Sequence, residues 1–178
     1  MHLPPTAGST GDEVLAIALA KLAPRRDEVF VDIGCGSGKV SLAASSLARE
    51  VYAIDRRPEA VAWARERARL EGAGNIRFLE GDAPEALEGL PAPDCAFIGG
   101  SGNLAAVIGA LAAKGTKRML VSCIQVETLA TAIGAMRGLG IFRESLLVQV
   151  ARSKDLAGGT IFVPAHPIWF VIGGAGPC

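Results

Sequence analysis

The stretch Val-Asp-Ile-Gly-Cys-Gly-Ser-Gly, Val31 to Gly38, follows a run of strand formers that begins at Val29 and precedes a helical pattern reaching about Ala48. Three alternate glycines between a buried strand and a helix make a tight turn whose backbone, bare of Cβ atoms, lets a flat or extended ligand approach closely. A dinucleotide fingerprint needs a small residue at the third position after Gly36, and that position is Lys39. NAD or FAD is therefore the weaker reading. Outward from this loop, strand and helix patterns alternate, which is the signature of a parallel sheet covered by helices on both faces. Upstream, Thr10 and Glu13 have capping-box spacing, and Leu15, Ala18, Leu19 and Leu22 recur as one helical face that Pro24 ends. Downstream, strands are expected at Val51 to Ile54, Ile76 to Leu79, Asp94 to Ile98 and Met119 to Ser122. Helices start at Pro58, around Leu104 and ahead of Leu129. After Gly140 two strand-like segments, Phe142 to Val150 and Thr160 to Ile172, join through Arg152 to Gly159 with no helical pattern, so a terminal antiparallel hairpin is expected to close the sheet edge.

Asp32, Asp55 and Asp82 fall at or just after the carboxyl ends of the first three expected strands, where doubly wound sheets bind ligands. A crevice lined this way repels a pyrophosphate. S-adenosylmethionine, with a sulfonium, an ammonium and no phosphate, fits it. Asp55 lies 21 residues after Gly34, where a carboxylate can accept hydrogen bonds from both ribose hydroxyls. The Gly99-Gly100-Ser101-Gly102 loop leaves the fourth strand and offers room and backbone donors for a bulky substrate. Cys35 lies within the glycine turn and reads as a small packing residue rather than a nucleophile.

The 178 residues suit one domain spanning the whole chain, and half of them are hydrophobic, which excludes intrinsic disorder. Eighteen basic and eighteen acidic residues cancel, which disfavours a nucleic-acid coat. Four cysteines at 35, 95, 123 and 178, with no C-x-x-C pair and two histidines, suggest neither a zinc site nor a disulfide scaffold, so no metal is expected. Residues 156–178 carry no charge, yet Pro164, His166, Pro167 and several glycines interrupt them, so a buried strand is expected rather than a membrane span. With no apolar signal core before Gly11, a cytoplasmic location is expected.

Helix, five βα steps and a terminal hairpin together resemble the class I S-adenosylmethionine-dependent methyltransferases, a Rossmann-like three-layer sandwich with a seven-stranded, mostly parallel sheet in the order 3-2-1-4-5-7-6. Asp32 through Gly38 match that family's first motif, including Gly34, Cys35, Gly36 and Ser37. The resemblance makes Asp55, with Arg56 beside it, the ribose-side contact and lays Gly81-Asp82-Ala83 along the adenine. More narrowly, the chain resembles the precorrin or cobalt-precorrin C15-methyltransferases of cobalamin biosynthesis, which also decarboxylate an acetate side chain. The carriers are Val-Tyr-Ala-Ile-Asp-Arg-Arg-Pro-Glu-Ala (Val51 to Ala60), Glu-Gly-Asp-Ala-Pro-Glu-Ala-Leu (Glu80 to Leu87), Phe-Ile-Gly-Gly-Ser-Gly (Phe97 to Gly102) and Val-Glu-Thr (Val126 to Thr128). Ala-Arg at 151 and 152, Gly-Gly-Thr at 158 to 160 and His-Pro-Ile at 166 to 168 resemble further family marks, with His166 in place of the usual Asn.

This resemblance implies that Thr10 reaches the cofactor and that the substrate is a tetrapyrrole bearing several carboxylates. Arg56, Arg57, Arg152 and Lys154 are candidate partners for those carboxylates, Arg152 first among them. Gln125, Glu127 and Arg152 are the catalytic candidates, and Gln125, Glu127 and His166 are candidates for steering the decarboxylation proton. The resemblance also implies a homotetramer, and in some organisms a C5-methyltransferase domain fused ahead of this one. Trp63 and Trp169 read as core or subunit-contact residues. A methyltransferase for another small molecule, a tRNA or a protein is the first alternative, and a non-catalytic cofactor-binding partner the second.

Overall fold

The computed structural model describes residues 10–100 and 102–175. Its chain order is α1 (Asp12–Leu22), β1 (Val29–Ile33), α2 (Lys39–Ser45), β2 (Glu50–Asp55), α3 (Pro58–Leu70), β3 (Ile76–Glu80), β4 (Cys95–Ile98), α4 (Leu104–Ala113), β5 (Arg118–Cys123) and α5 (Val126–Gly138). Four strands follow: β6 (Phe142–Val148), β7 (Ala151–Leu156), β8 (Gly159–Pro164) and β9 (Ile168–Gly173). The main sheet has seven strands in the order β3-β2-β1-β4-β5-β9-β6, parallel from β3 to β5, with β9 antiparallel to both neighbours. With the β7–β8 pair set aside, this is the 3-2-1-4-5-7-6 order implied by the resemblance.

Strand alternation divides the core in two. Val29, Val31 and Ile33 of β1 join Ala96, Ile98, Met119 and Val121 beneath α4 and α5. Phe30, Cys95, Phe97, Leu120 and Phe170 pack on the other face with Val14, Ala18 and Leu22 of α1 and Val40 and Ala44 of α2. β1 is buried along its whole length, as the centre of a parallel sheet covered on both sides should be. Asp32 shares the parity of Phe30 and so points toward α2. No helix among the described residues is long and apolar enough to cross a membrane.

Two local expectations are corrected. α1 is capped by Gly11 with no side-chain cap, so Thr10 and Glu13 form no capping box, and its fully buried face is Val14, Ala18 and Leu22, with Leu15 and Leu19 only partly covered. The chain after Gly140 forms four strands rather than two. The connector expected from Arg152 to Gly159 is β7 and a two-residue turn, Ala157-Gly158, with positive φ at both positions (49° and 81°), as a tight hairpin turn of primed type requires. β7 and β8 form a separate antiparallel arm in which every residue is exposed. The buried strand expected within residues 156–178 is thus β9 alone.

Candidate active site

The glycine turn is built by backbone pairing across the strand ends. The amides of Gly34 and Cys35 both donate to the Ile54 carbonyl, at 2.8 and 2.9 Å, so the loop is hooked over the end of β2. Gly34 has φ of +76°, and a Cβ there would lie 2.8 Å from the Gly100 carbonyl oxygen. The turns leaving β1 and β4 therefore touch backbone to backbone. Gly38 serves a different purpose: at φ +75° it starts α2, and a Cβ on it would meet the Ala64 Cβ of α3 at 2.8 Å.

Around these turns lies a cavity of about 780 Å³ at the carboxyl ends of β1, β2, β4 and β5, within the roughly 300–1,000 Å³ usual for ligand sites. It brings together Thr10, Asp32, Gly34, Cys35, Gly36, Ser37, Asp55, Arg56, Asp82 and Ala83 on the expected cofactor side. Gly99, Gly100 and Gly102 line the expected substrate side, with Gln125 beyond them, while Ser101 lies outside the described residues. Gly38 is not on the wall. Glu127 is exposed in the first turn of α5, and His166 is exposed between β8 and β9; neither lines the cavity. Arg152 sits on the arm, paired with Glu13 of α1 at 2.6 Å, also away from the wall.

The electrostatics center on two carboxylates. Asp32 is fully buried; its Oδ2 accepts the Ser41 hydroxyl at 2.5 Å, while Oδ1 has no hydrogen-bond partner among the described residues. Burial pushes its pKa up to about 7, with the Ser41 hydrogen bonds opposing the rise and the Asp55 charge adding to it. Burial works the same way on Asp55, but hydrogen bonds from the Arg57 side chain, the Arg57 amide and the Gly36 amide outweigh it and hold this carboxyl below the usual range. Burial, then the Asp32 and Asp55 charges, push the Cys35 thiol well above its ordinary value, which suits a packing role. Lys39, the residue that breaks the dinucleotide pattern, bonds the Thr10 carbonyl at 2.7 Å and Asp12 at 2.7 Å, tying the start of α2 to the segment before α1.

Residue types suited to a cationic nucleoside are therefore present. An orphaned, buried carboxylate oxygen, Asp32 Oδ1, wants a positive or donor group. The glycine turn is a cradle that Cβ atoms would fill. Sequence reading passed over the wall beyond β5, where Ser122, Cys123, Ile124 and Thr128 face the cavity with Ile168 of β9. Their signal is positional only: they follow the carboxyl end of a parallel strand.

A sheet of this order, with a glycine turn after β1 and an acid closing β2, defines a class I methyltransferase fold. Residues 8–172 match the family model described as a precorrin methyltransferase domain, and the chain belongs to that family. It is 38% identical over 173 residues, covering 94% of both chains, to the probable cobalt-precorrin-6B C(15)-methyltransferase (decarboxylating) of Methanosarcina acetivorans. The crystal structure of a precorrin 8W decarboxylase from Methanobacterium thermoautotrophicum is similar at a TM-score of 0.91 and 35% identity, covering 98% of this chain and 96% of that one. A precorrin-6y C5,15-methyltransferase from Geobacter metallireducens is similar at 0.90 and 30%, with 97% and 93% covered.

Proposed function

We propose that this chain is an S-adenosylmethionine-dependent C-methyltransferase that methylates a precorrin at C15 and decarboxylates one of its acetate side chains, in cobalamin biosynthesis. The observation that carries this reading is a single cavity that joins an acidic, glycine-floored side holding Asp32 and Asp55 to a side between the Gly99-Gly100 turn and the end of β5, in a chain of the precorrin methyltransferase family. Asp55 takes the ribose hydroxyls, Gly34 to Gly36 underlie the nucleoside, Asp82 and Ala83 flank the adenine, and Asp32 faces the ammonium end. Thr10 closes the near side.

When bound, the cofactor would supply an electrophilic methyl carbon on a sulfonium, open to in-line attack by the substrate carbon as the methyl–sulfur bond breaks and the neutral thioether leaves. What the protein contributes is alignment of the two reactants, a large part of the rate for such a step. Loss of carbon dioxide leaves its electron pair on the former acetate methylene, which takes up a proton to become methyl. Gln125, the candidate on the cavity wall, is placed to hydrogen-bond a substrate carboxylate. Ile124 and Ile168 give the macrocycle an apolar face.

The arm supports a homo-oligomer, and we place a homotetramer first. Phe162 is 70% exposed and Leu156 58%, with Ile161 and Val163 beside them, and a lone two-stranded hairpin is at best marginally stable in water. The enzyme is assigned to the cytoplasm, with the chain acting as one catalytic unit. Incubation with a C15-unmethylated cobalt-precorrin or precorrin and S-adenosylmethionine tests the reaction: mass spectrometry should show one methyl gained and one carbon dioxide lost. Transfer to other acceptors, with precorrins untouched, overturns it.

A further inference from the structure

Asp55 has no acceptor site left for a ribose. Its Oδ1 accepts the Arg57 amide and Arg57 Nε, both at 3.0 Å, and its Oδ2 accepts the Gly36 amide at 2.9 Å and Arg57 Nη2 at 3.0 Å. A carboxylate offers about four lone-pair positions, and these four donors use them. Two of the donors are main chain, held by the glycine turn and by the start of α3. The other two belong to one guanidinium whose side chain is 38% exposed and lines the cavity. Its fork places one N–H on each carboxylate oxygen, the same arrangement that two neighbouring ribose hydroxyls present.

We propose that Arg57 occupies the ribose-diol position of the cofactor site and exchanges partners as the cofactor binds: the diol replaces the guanidinium on Asp55, and the released guanidinium pairs with a carboxylate of the tetrapyrrole. The inference rests on the reading that Asp55 grips the ribose. Arg57 lines the cavity beside Arg56, so a released side chain stays within it. A guanidinium is suited to both partners because its planar fork matches any carboxylate. Loading is then ordered. The substrate's carboxylate finds its cation only after cofactor has freed it, and between the two steps the partly exposed guanidinium is hydrated at the cavity mouth.

The test uses the full chain and two substitutions, Arg57→Ala and Arg57→Lys. Calorimetry with S-adenosylhomocysteine should show Arg57→Ala binding about two- to fivefold tighter than wild type, the fold-change that losing a competing, partly exposed ion pair allows, with Arg57→Lys, which loses the bidentate fork but keeps the charge, gaining less. The KM for the precorrin should rise about tenfold in Arg57→Ala and less in Arg57→Lys, which keeps a cation. Weaker or unchanged S-adenosylhomocysteine binding in both variants overturns the proposal, as does an unchanged precorrin KM in Arg57→Ala. Adenosine and 2′,3′-dideoxyadenosine separate this failure from that of the underlying reading. If wild type prefers adenosine and Arg57 variants gain nothing, partner exchange alone is wrong. If wild type binds the two nucleosides equally, Asp55 does not grip the ribose and both fall.

Discussion

Asp32 shows how burial and charge divide the work of a single residue. Its carboxyl titrates near pH 7 in the fold and near 3.8 when unfolded, so between those values the folded chain holds a proton that the unfolded chain has lost. Stability from this group is therefore complete below about pH 4, falls as pH rises toward 7, and is flat above, with a slope of at most about 1.4 kcal/mol per pH unit. Asp55 and Asp94, both lowered below 3.8, act in a separate window: their contribution is present above that value and lost in stronger acid. Urea midpoints across pH 5 to 8 should decline for wild type and stay level for Asp32→Asn, and equal slopes would remove Asp32 as the cause. Gly34 is the second residue with a sharp expectation. Alanine there forces a Cβ against the Gly100 backbone at φ +76°, costing about 1–3 kcal/mol, and should abolish S-adenosylhomocysteine binding in calorimetry while the chain still folds. Both residues are legible in sequence because an alternating glycine run and an acid before it have few other uses. Gly38 is legible as a glycine but not for its reason, since its neighbor Ala64 is 26 positions away in the chain.

Among the elements, β1, β2 and β4 are readable because continuous burial writes itself as continuous Val, Ile, Ala and Phe. β7 is not, and β8 reads as one long strand with β9, because both faces of the arm meet solvent within one chain and no core selects its side chains. Arg152, Ser153, Lys154 and Asp155 look like a loop, and only Ala157-Gly158 hints at a turn. Register explains what the arm presents: Ser153 opposes Phe162, whereas Arg152 opposes Val163 and Lys154 opposes Ile161. One face thus carries Phe162, and the other carries aliphatic residues beside basic ones. Arg152 also anchors the arm to Glu13 of α1, an exposed pair worth little by itself. The proposed oligomer would cover the Phe162 face, where the ring is 70% exposed within one chain. Phe162→Glu should therefore shift sedimentation to smaller species while far-UV circular dichroism is retained, and an unchanged sedimentation coefficient would overturn the arm as a subunit contact.

Across the whole molecule, the sheet keeps binding and stability at opposite ends. Carboxylates and glycine turns gather at the carboxyl ends of the strands, whereas at the amino ends a polar network locks the sheet. Glu28, just before β1, accepts the Arg25 amide at 2.9 Å and is ion-paired with Arg118, the first residue of β5. Arg118 also donates to the Leu22 carbonyl at the end of α1 at 2.7 Å and to Cys95 Sγ at the start of β4 at 2.8 Å. Beside it, Asp94 accepts the Val29 amide at 2.9 Å and pairs with Lys117 at 2.7 Å. Burial pushes the Cys95 thiol up to about 12, so it packs here as a neutral group. None of this is legible in the sequence, where Glu28 and Arg118 stand 90 residues apart among many equivalent charges. Glu28 is buried and Arg118 partly so, and removing one partner leaves the other charge uncompensated, at up to about 3–5 kcal/mol. Arg118→Met should thus lower unfolding stability by that amount, with the loss partly recovered by adding Glu28→Gln, which neutralises the stranded carboxylate. The cofactor end lies across the sheet, so S-adenosylhomocysteine affinity at temperatures where the variant remains folded should stay within twofold of wild type. A fall in affinity parallel to the fall in stability would mean that the two ends of the sheet are coupled, and that the amino-end lock helps to set the glycine turn.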